Sequence, residues 1–270
     1  MDHTQQDLQN PSNHVAPCAI NEFSTFTSMH VSSSHSLRAS GIESPLVIYW
    51  KRNSQLRGEF MTNSQDSEHQ HTHDHHHRTF DPNHLQSMEA RRRAFMNPEH
   101  VLPKFLTRAN MTLLDVGCGA GFFTVPAAKW LIDGKVYALD RQQDMIDVTL
   151  RRAAEANLKN VQGITSSATA IPLPTNSVDA ALMSMVFHDI LEQTELLSET
   201  ARVLVPGGIL YMVEWDRNGT EFGPPMHIRI RPSELRETLE TNHFVVDDIT
   251  HSDVEPAVYF VTARTPHTGD

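Results

Sequence analysis

The chain has 270 residues and a formal net charge of −11, with 33 acidic against 22 basic side chains; that length allows one sizeable core plus extra segments, and the acidic balance argues against a general nucleic-acid binder, which needs a basic face. It has two cysteines, Cys18 in a polar tail and Cys118 in a glycine turn, so no structural disulfide is expected and a reducing compartment is. No apolar run approaches the ~20 residues of a membrane helix, and the opening Met1-Asp2-His3-Thr4 lacks the regions of a secretory leader, so the expected location is the cytoplasm.

Residues 1–60 are rich in Ser, His, Asn and Gln without a sustained apolar period, and read as a disordered polar tail. Met61 opens a fresh polar stretch, so residues 1–60 are either a flexible tail or an extension ahead of a natural start at Met61. Residues 61–83 are a low-complexity segment with six histidines between His69 and His77. Imidazoles at this density can chelate Zn, Ni or Cu, but no partner ligands frame a closed site, and no metal site is assigned. One α/β domain is expected over 84–270. It begins with helical spacing of Leu85, Met88, Phe95 and Met96, and the Arg91-Arg92-Arg93 run among them reads as a solvated face. Pro98 is placed to start a second helix.

Met111 to Val116 reads as a buried parallel strand, followed by the turn Gly117-Cys118-Gly119-Ala120-Gly121 and a helix from Phe122. Glycines let the backbone bend tightly and approach a ligand, and a following helix offers its N–H groups and positive dipole end. A tight βα turn with no ligand would look the same, so later segments must decide. Lys135 to Leu139 is a second strand ending at Asp140, ~25 residues after Asp115, where an acid can accept hydrogen bonds from both ribose hydroxyls. A helix around Met145–Ala156 ends with Asn157 suited to the left-handed region. Further strands are expected at Val161–Ile164, 176–185 and Ile209–Trp215. Between the last two lies a helix over Leu191–Leu204, stopped by Pro206-Gly207-Gly208. Met226 to Arg231 alternates at period two. A helix runs from Pro232 to Thr241, with Asn242 or His243 taking the left-handed end, and Phe244–Ile249 and Ala257–Ala263 supply a closing pair of strands.

Four segments, in order, resemble the class I S-adenosylmethionine-dependent methyltransferases: Leu113 to Gly121 with its G-x-G-x-G and leading acid, Asp140 closing the second strand, Ser166 to Pro174 with its Leu-Pro pattern, and Arg202 to Leu210 with its Pro-Gly-Gly. A nicotinamide-dinucleotide enzyme would show G-x-G-x-x-G and would not call for the last two. The resemblance implies an α/β Rossmann-like, doubly wound, seven-stranded sheet, mostly parallel with an antiparallel edge hairpin, and S-adenosyl-L-methionine as cofactor. It carries cofactor contacts to Asp115, Gly117, Cys118, Gly119, Asp140, Met145, Ser167 and Ala168. It puts Asp115 near the methionine ammonium and the glycine turn under the cofactor, and it has Ser167 standing where the family usually carries an Asp toward adenine. The leading helices are expected to cap the cofactor.

Methyl transfer from sulfonium is a direct displacement, so positioning supplies much of the rate, and a base is needed only for an acceptor that is protonated at neutral pH. His188 and Asp189, at the carboxyl end of the fourth strand, are the catalytic candidates, with the alternative that they only start a helix. Glu214 and Asp216 are second candidates. Arg229 and Arg231 either grip an anionic acceptor or lie on a solvated strand face. The expected activity is methyl transfer to a small molecule. A non-catalytic cofactor sensor on the same fold, or an RNA or protein methyltransferase, stands as the alternative. The acceptor and the oligomeric state are not legible in the residues.

Overall fold

The computed structural model of the protein describes residues 79–218 and 222–267. The polar tail, Cys18, the internal Met61 and the histidine run lie outside the described residues. Three short helices lead: α1 (Pro82–Ser87), α2 (Glu89–Met96) and α3 (Pro98–Val101). Two prolines at first helical positions follow side-chain caps: Asp81 accepts from the Asn83 N–H at 2.9 Å and Asn97 from the Glu99 N–H at 3.2 Å. Then come β1 (Thr112–Val116), α4 (Thr124–Trp130), β2 (Lys135–Asp140), α5 (Gln143–Glu155), β3 (Val161–Thr165), β4 (Val178–Ser184), α6 (Gln193–Val203), β5 (Leu204–Trp215), α7 (Pro232–Thr241), β6 (Val245–His251) and β7 (Val258–Arg264).

The strands form one seven-stranded sheet in the order β3-β2-β1-β4-β5-β7-β6, parallel except at β7, which runs antiparallel to both neighbours. Strands β1, β4 and much of β2 and β5 read as near-continuous apolar runs because helices cover both faces of a parallel sheet, while the edge strand β3 is half polar and largely unburied. Leu114, Val116, Leu139, Met183 and Met212 pack on one face with α6 and α7, while Leu113, Val136, Leu182, Tyr211 and Val213 pack on the other with α2, α3 and α4. Each such side chain, fully buried, is worth ~1.5–3 kcal/mol. The strand order reverses between β1 and β4, so the ends of β1, β2, β4 and β5 open one crevice at the switch point.

Asn157 and His243 take the left-handed conformation expected of them, at φ 57° and 66°. Three expectations need correction. The helix after the glycine turn begins at Thr124, not Phe122. Pro206-Gly207-Gly208 does not stop α6: the helix ends at Val203, Leu204 already pairs with Val178, and Pro-Gly-Gly lies inside β5, at the register shift that precedes the Ala180–Ile209 pair. Gly207, at φ 74°, absorbs that irregularity. Met226 to Arg231 is no strand. Met226–Ile228 forms a 3-10 turn, burial does not follow the alternation, since Met226 is exposed and Arg229 buried, and the backbone meets the sheet at Ile230, whose N–H donates to Trp215 O at 3.0 Å.

Candidate active site

The crevice is a cavity of about 690 Å³. Its floor is the glycine turn. Gly117 has φ 67° and an added Cβ there would sit 2.5 Å from Val186 Cγ2, so both conformation and space require glycine. Four of the turn's five amides are spoken for: Gly117 and Cys118 donate to Leu139 O at 2.8 and 3.0 Å, Gly119 to Asp140 Oδ2 at 3.0 Å and Gly121 to Cys118 O at 3.0 Å. This turn lets a ligand lie against it without cradling a phosphate.

Asp140 lines the cavity at the end of β2. Its Oδ2 holds Gly119 and its Oδ1 accepts from the Gln142 N–H at 2.9 Å. An ionised carboxylate has about four lone-pair directions, so acceptor capacity toward a diol remains. Burial raises the pKa of this carboxyl above its ordinary value. Gly117, Cys118, Gly119, Met145, Ser167 and Ala168 also line the cavity. The Ser167 hydroxyl is engaged within its own turn, 2.8 Å from Thr169 Oγ1.

Asp115 is the exception among the named residues. It does not line the cavity: it is 2% exposed behind the turn, and its Oδ2 accepts from Thr124 Oγ1 at 2.6 Å. Burial pushes its pKa up to about 6, against the pull of the Thr124 hydrogen bond and the Arg92 guanidinium. Its field still reaches the turn, since the charges of Asp115 and Asp140 add to burial in lifting the Cys118 thiol well above its usual range.

Phe80 and the leading helices, through Leu85, Met88 and Arg92, cover this half of the cavity. Gln142 clamps the cover by bonding both polar groups of the Phe80 backbone, at 2.9 and 3.1 Å, and Arg152 pairs with Glu89 through both nitrogens. The triple arginine is not one solvated face. Arg91 is exposed over the Phe222 ring and Arg93 pairs with Glu99 at 2.8 Å, but Arg92 turns into the cavity with its guanidinium 4.4 Å from the Phe122 ring. Burial lowers the Arg92 pKa to about 10. The signal was in the spacing, because Met88, Arg92 and Met96 recur four apart on one helix face.

At the far end, β4 passes into a 3-10 turn, Phe187–Asp189, that brings His188 and Asp189 to the cavity together. Met185, just before it, lies at φ 58°, the kind of sparsely populated backbone that collects at functional sites. His188 Nδ1 is 2.6 Å from Glu214 Oε2, and its Nε2 is 3.6 Å from Asp189 Oδ2. The remaining wall is apolar, with Phe95, Met96, Trp215 and Phe222 prominent. Asp216 is turned away, with Oδ2 3.4 Å from His251 Nε2. Arg229 grips no acceptor and lies on no solvated face. It is 1% exposed, donates to Pro224 O at 2.9 Å and Phe222 O at 2.6 Å, and staples that connector beside the Trp215 ring. Arg231 is exposed and pairs with Glu234 at 3.1 Å.

Comparison with known proteins gives the family. A family model described as "Methyltransferase domain" matches residues 114–212. A crystal structure of an S-adenosylmethionine-dependent methyltransferase from Aquifex aeolicus is 32% identical, with a TM-score of 0.62, covering 69% of this chain and 99% of that one. Demethylmenaquinone methyltransferase of Geobacillus stearothermophilus is 29% identical over 131 residues, 48% of this chain and 56% of that protein. The enzyme of the same name from Symbiobacterium thermophilum is 33% identical over 112 residues, 41% of this chain and 45% of that protein. The chain thus spans about half the length of the curated relatives it matches. It belongs to the class I S-adenosylmethionine-dependent methyltransferases. The family's cofactor is S-adenosylmethionine, and a turn with four of its five amides already bonded, beside a carboxylate with acceptor capacity to spare, fits that group better than it fits a pyrophosphate.

Proposed function

We propose that the chain transfers a methyl group from S-adenosylmethionine to a small molecule. The observation that carries this reading is the continuity of one cavity from Asp140 and the glycine turn to His188, Asp189 and an apolar aromatic wall. A bound cofactor supplies a methyl group on sulfonium, a leaving group that needs no protonation. In this reading Asp140 accepts the ribose hydroxyls, Gly117, Cys118 and Gly119 leave the backbone bare against the ligand, and Met145, Ser167 and Ala168 flank the adenine. Asp115 acts through its field rather than by contact, favouring a cationic amino-acid end. His188 and Asp189 meet the acceptor. Positioning of this kind is worth ~7–11 kcal/mol.

Relatives named for demethylmenaquinone act on a small molecule, and the described residues contain no helix long and apolar enough to cross a membrane. Incubation with methyl-labelled cofactor, bulk RNA, a protein extract and a small-molecule extract tests the acceptor class. The label is expected in the low-mass fraction. Label fixed on RNA in a strongly salt-dependent way, or on protein, would replace this reading by polymer methylation.

A further inference from the structure

Glu214 is an acid inside an otherwise apolar strand, Ile209–Trp215, and it is fully buried. A carboxylate in such a place is costly unless every lone pair is used. Its Oε1 accepts from the Phe187 N–H at 3.0 Å and the His188 N–H at 3.4 Å. Its Oε2 accepts from the Trp215 N–H at 3.2 Å and meets His188 Nδ1 at 2.6 Å. Ionised Glu214 is acceptor-only, so Nδ1 is the donor and the imidazole proton is fixed there. The nitrogen left to take up a further proton is Nε2, with Asp189 Oδ2 at 3.6 Å to stand beside the imidazolium that would form. Nucleophile activation recurs in this form: a base whose tautomer is set by a buried third group.

The wall facing this pair is specific in shape. Phe95, Trp215 and Phe222 meet edge to face, with centroids 5.4 to 6.4 Å apart. Trp215 directly follows Glu214 in β5, so the strand that carries the carboxylate also carries the wall. Rings in this arrangement, with Met96 beside them, favour a flat apolar partner.

From these contacts we infer that the acceptor is a hydroxylated aromatic, methylated on oxygen, with His188 as its general base and Glu214 as the residue that positions His188. The inference rests on the proposed methyl-transfer function and names the substrate class of that site. The acceptor's O–H bond breaks and its proton passes to Nε2. An oxygen–carbon bond forms to the methyl group while the carbon–sulfur bond breaks, its electron pair returning to sulfur. The products are an aryl methyl ether, S-adenosylhomocysteine and one proton on His188, later released to water.

The test uses the full chain, a panel of catechols and naphthols, and a nitrophenol that is already ionised at neutral pH. Glu214→Gln and His188→Ala are each expected to lower kcat on catechols and naphthols by ~10²-fold or more, within the range of a lost general base. KM and the affinity for S-adenosylhomocysteine should hold, while Glu214→Gln is expected to melt lower because its amide NH2 cannot accept from the buried N–H groups that the carboxylate serves. On the pre-ionised nitrophenol both variants should recover most of the loss, which a merely structural role would not produce. An equal fall on both acceptor types, no fall at all, or transfer by the parent chain only to nitrogen, sulfur or carbon acceptors would overturn the inference. If Glu214→Gln does not fold, His188→Ala alone decides by the same comparison. Failure of the parent chain to bind S-adenosylhomocysteine would instead strike the methyl-transfer function itself.

Discussion

Replacing Asp140 by Ala is expected to weaken S-adenosylhomocysteine binding ~10- to 150-fold, the equivalent of losing ~1.5–3 kcal/mol from a charge-assisted hydrogen-bonding partner. Two effects add. The carboxylate lines the cavity and keeps lone pairs for a diol, and it also pins the turn by accepting the Gly119 N–H. Alanine removes both and leaves that amide without its acceptor. Asp140→Asn keeps one carbonyl oxygen and should fall between the two. Calorimetry of the folded variants measures the effect directly, and an unchanged dissociation constant for Asp140→Ala would remove Asp140 from the site.

Asp115→Asn should move stability and binding in opposite directions. Asp115 has its folded pKa raised to about 6, so the folded state holds its proton longer than the unfolded chain does. The stability this group contributes is therefore full below about pH 4 and is lost as pH rises through 6. A shift of this size costs about 2–3 kcal/mol at neutral pH. The asparagine oxygen can keep the bond from Thr124 Oγ1 without the buried charge. The variant should melt higher at pH 7, by about 2–4 °C per kcal/mol, and match the parent near pH 4. Its affinity for S-adenosylhomocysteine should fall about tenfold, or about 1.4 kcal/mol, as the field at the turn is lost. Melting curves at pH 4 and 7 with a binding titration check both halves; a lower midpoint at pH 7 with unchanged affinity would mean that Asp115 serves the fold alone.

Much of the architecture was legible because its signals are local. Parallel strands buried on both faces read as apolar runs, and Asn157 and His243 announced helix ends through residues that tolerate positive φ. The glycine turn gave the class of ligand only together with Asp140, the Leu-Pro segment and the Pro-Gly-Gly segment that follow it. What the sequence obscured depends on contacts between distant residues. Arg202 donates to Ile171 O and Leu173 O, both at 2.8 Å, while its neighbour Glu199 accepts from the Ile171 N–H at 2.9 Å. Those bonds tie the Leu-Pro segment to the helix before β5, so two of the recognised motifs are halves of one structural joint. The period-two run at 226–231 mimicked a strand in residue type alone, since its Arg229 is buried and its Met226 exposed. Asp115 was expected beside the ligand, but β1 carries it behind the turn. His188 was visible as a residue at a strand end, whereas its partner Glu214 lies one strand away.

The choice of ligand at the glycine turn tests the cofactor site most directly. Four of its five backbone N–H groups already donate within the protein, and the two carboxylates beside it, Asp115 and Asp140, feel the guanidinium of Arg92 and of Arg141 respectively. Such a turn suits a ligand with an ammonium and a sulfonium and gives no hold to a pyrophosphate, whose charge at ~4 Å from a carboxylate would cost ~4 kcal/mol at an effective dielectric of 20. Calorimetric titration of the chain with S-adenosylmethionine, S-adenosylhomocysteine, NAD and NADP is the measurement. The expected result is saturable binding of the first two and none of the dinucleotides; binding of NAD or NADP without binding of S-adenosylhomocysteine would contradict it.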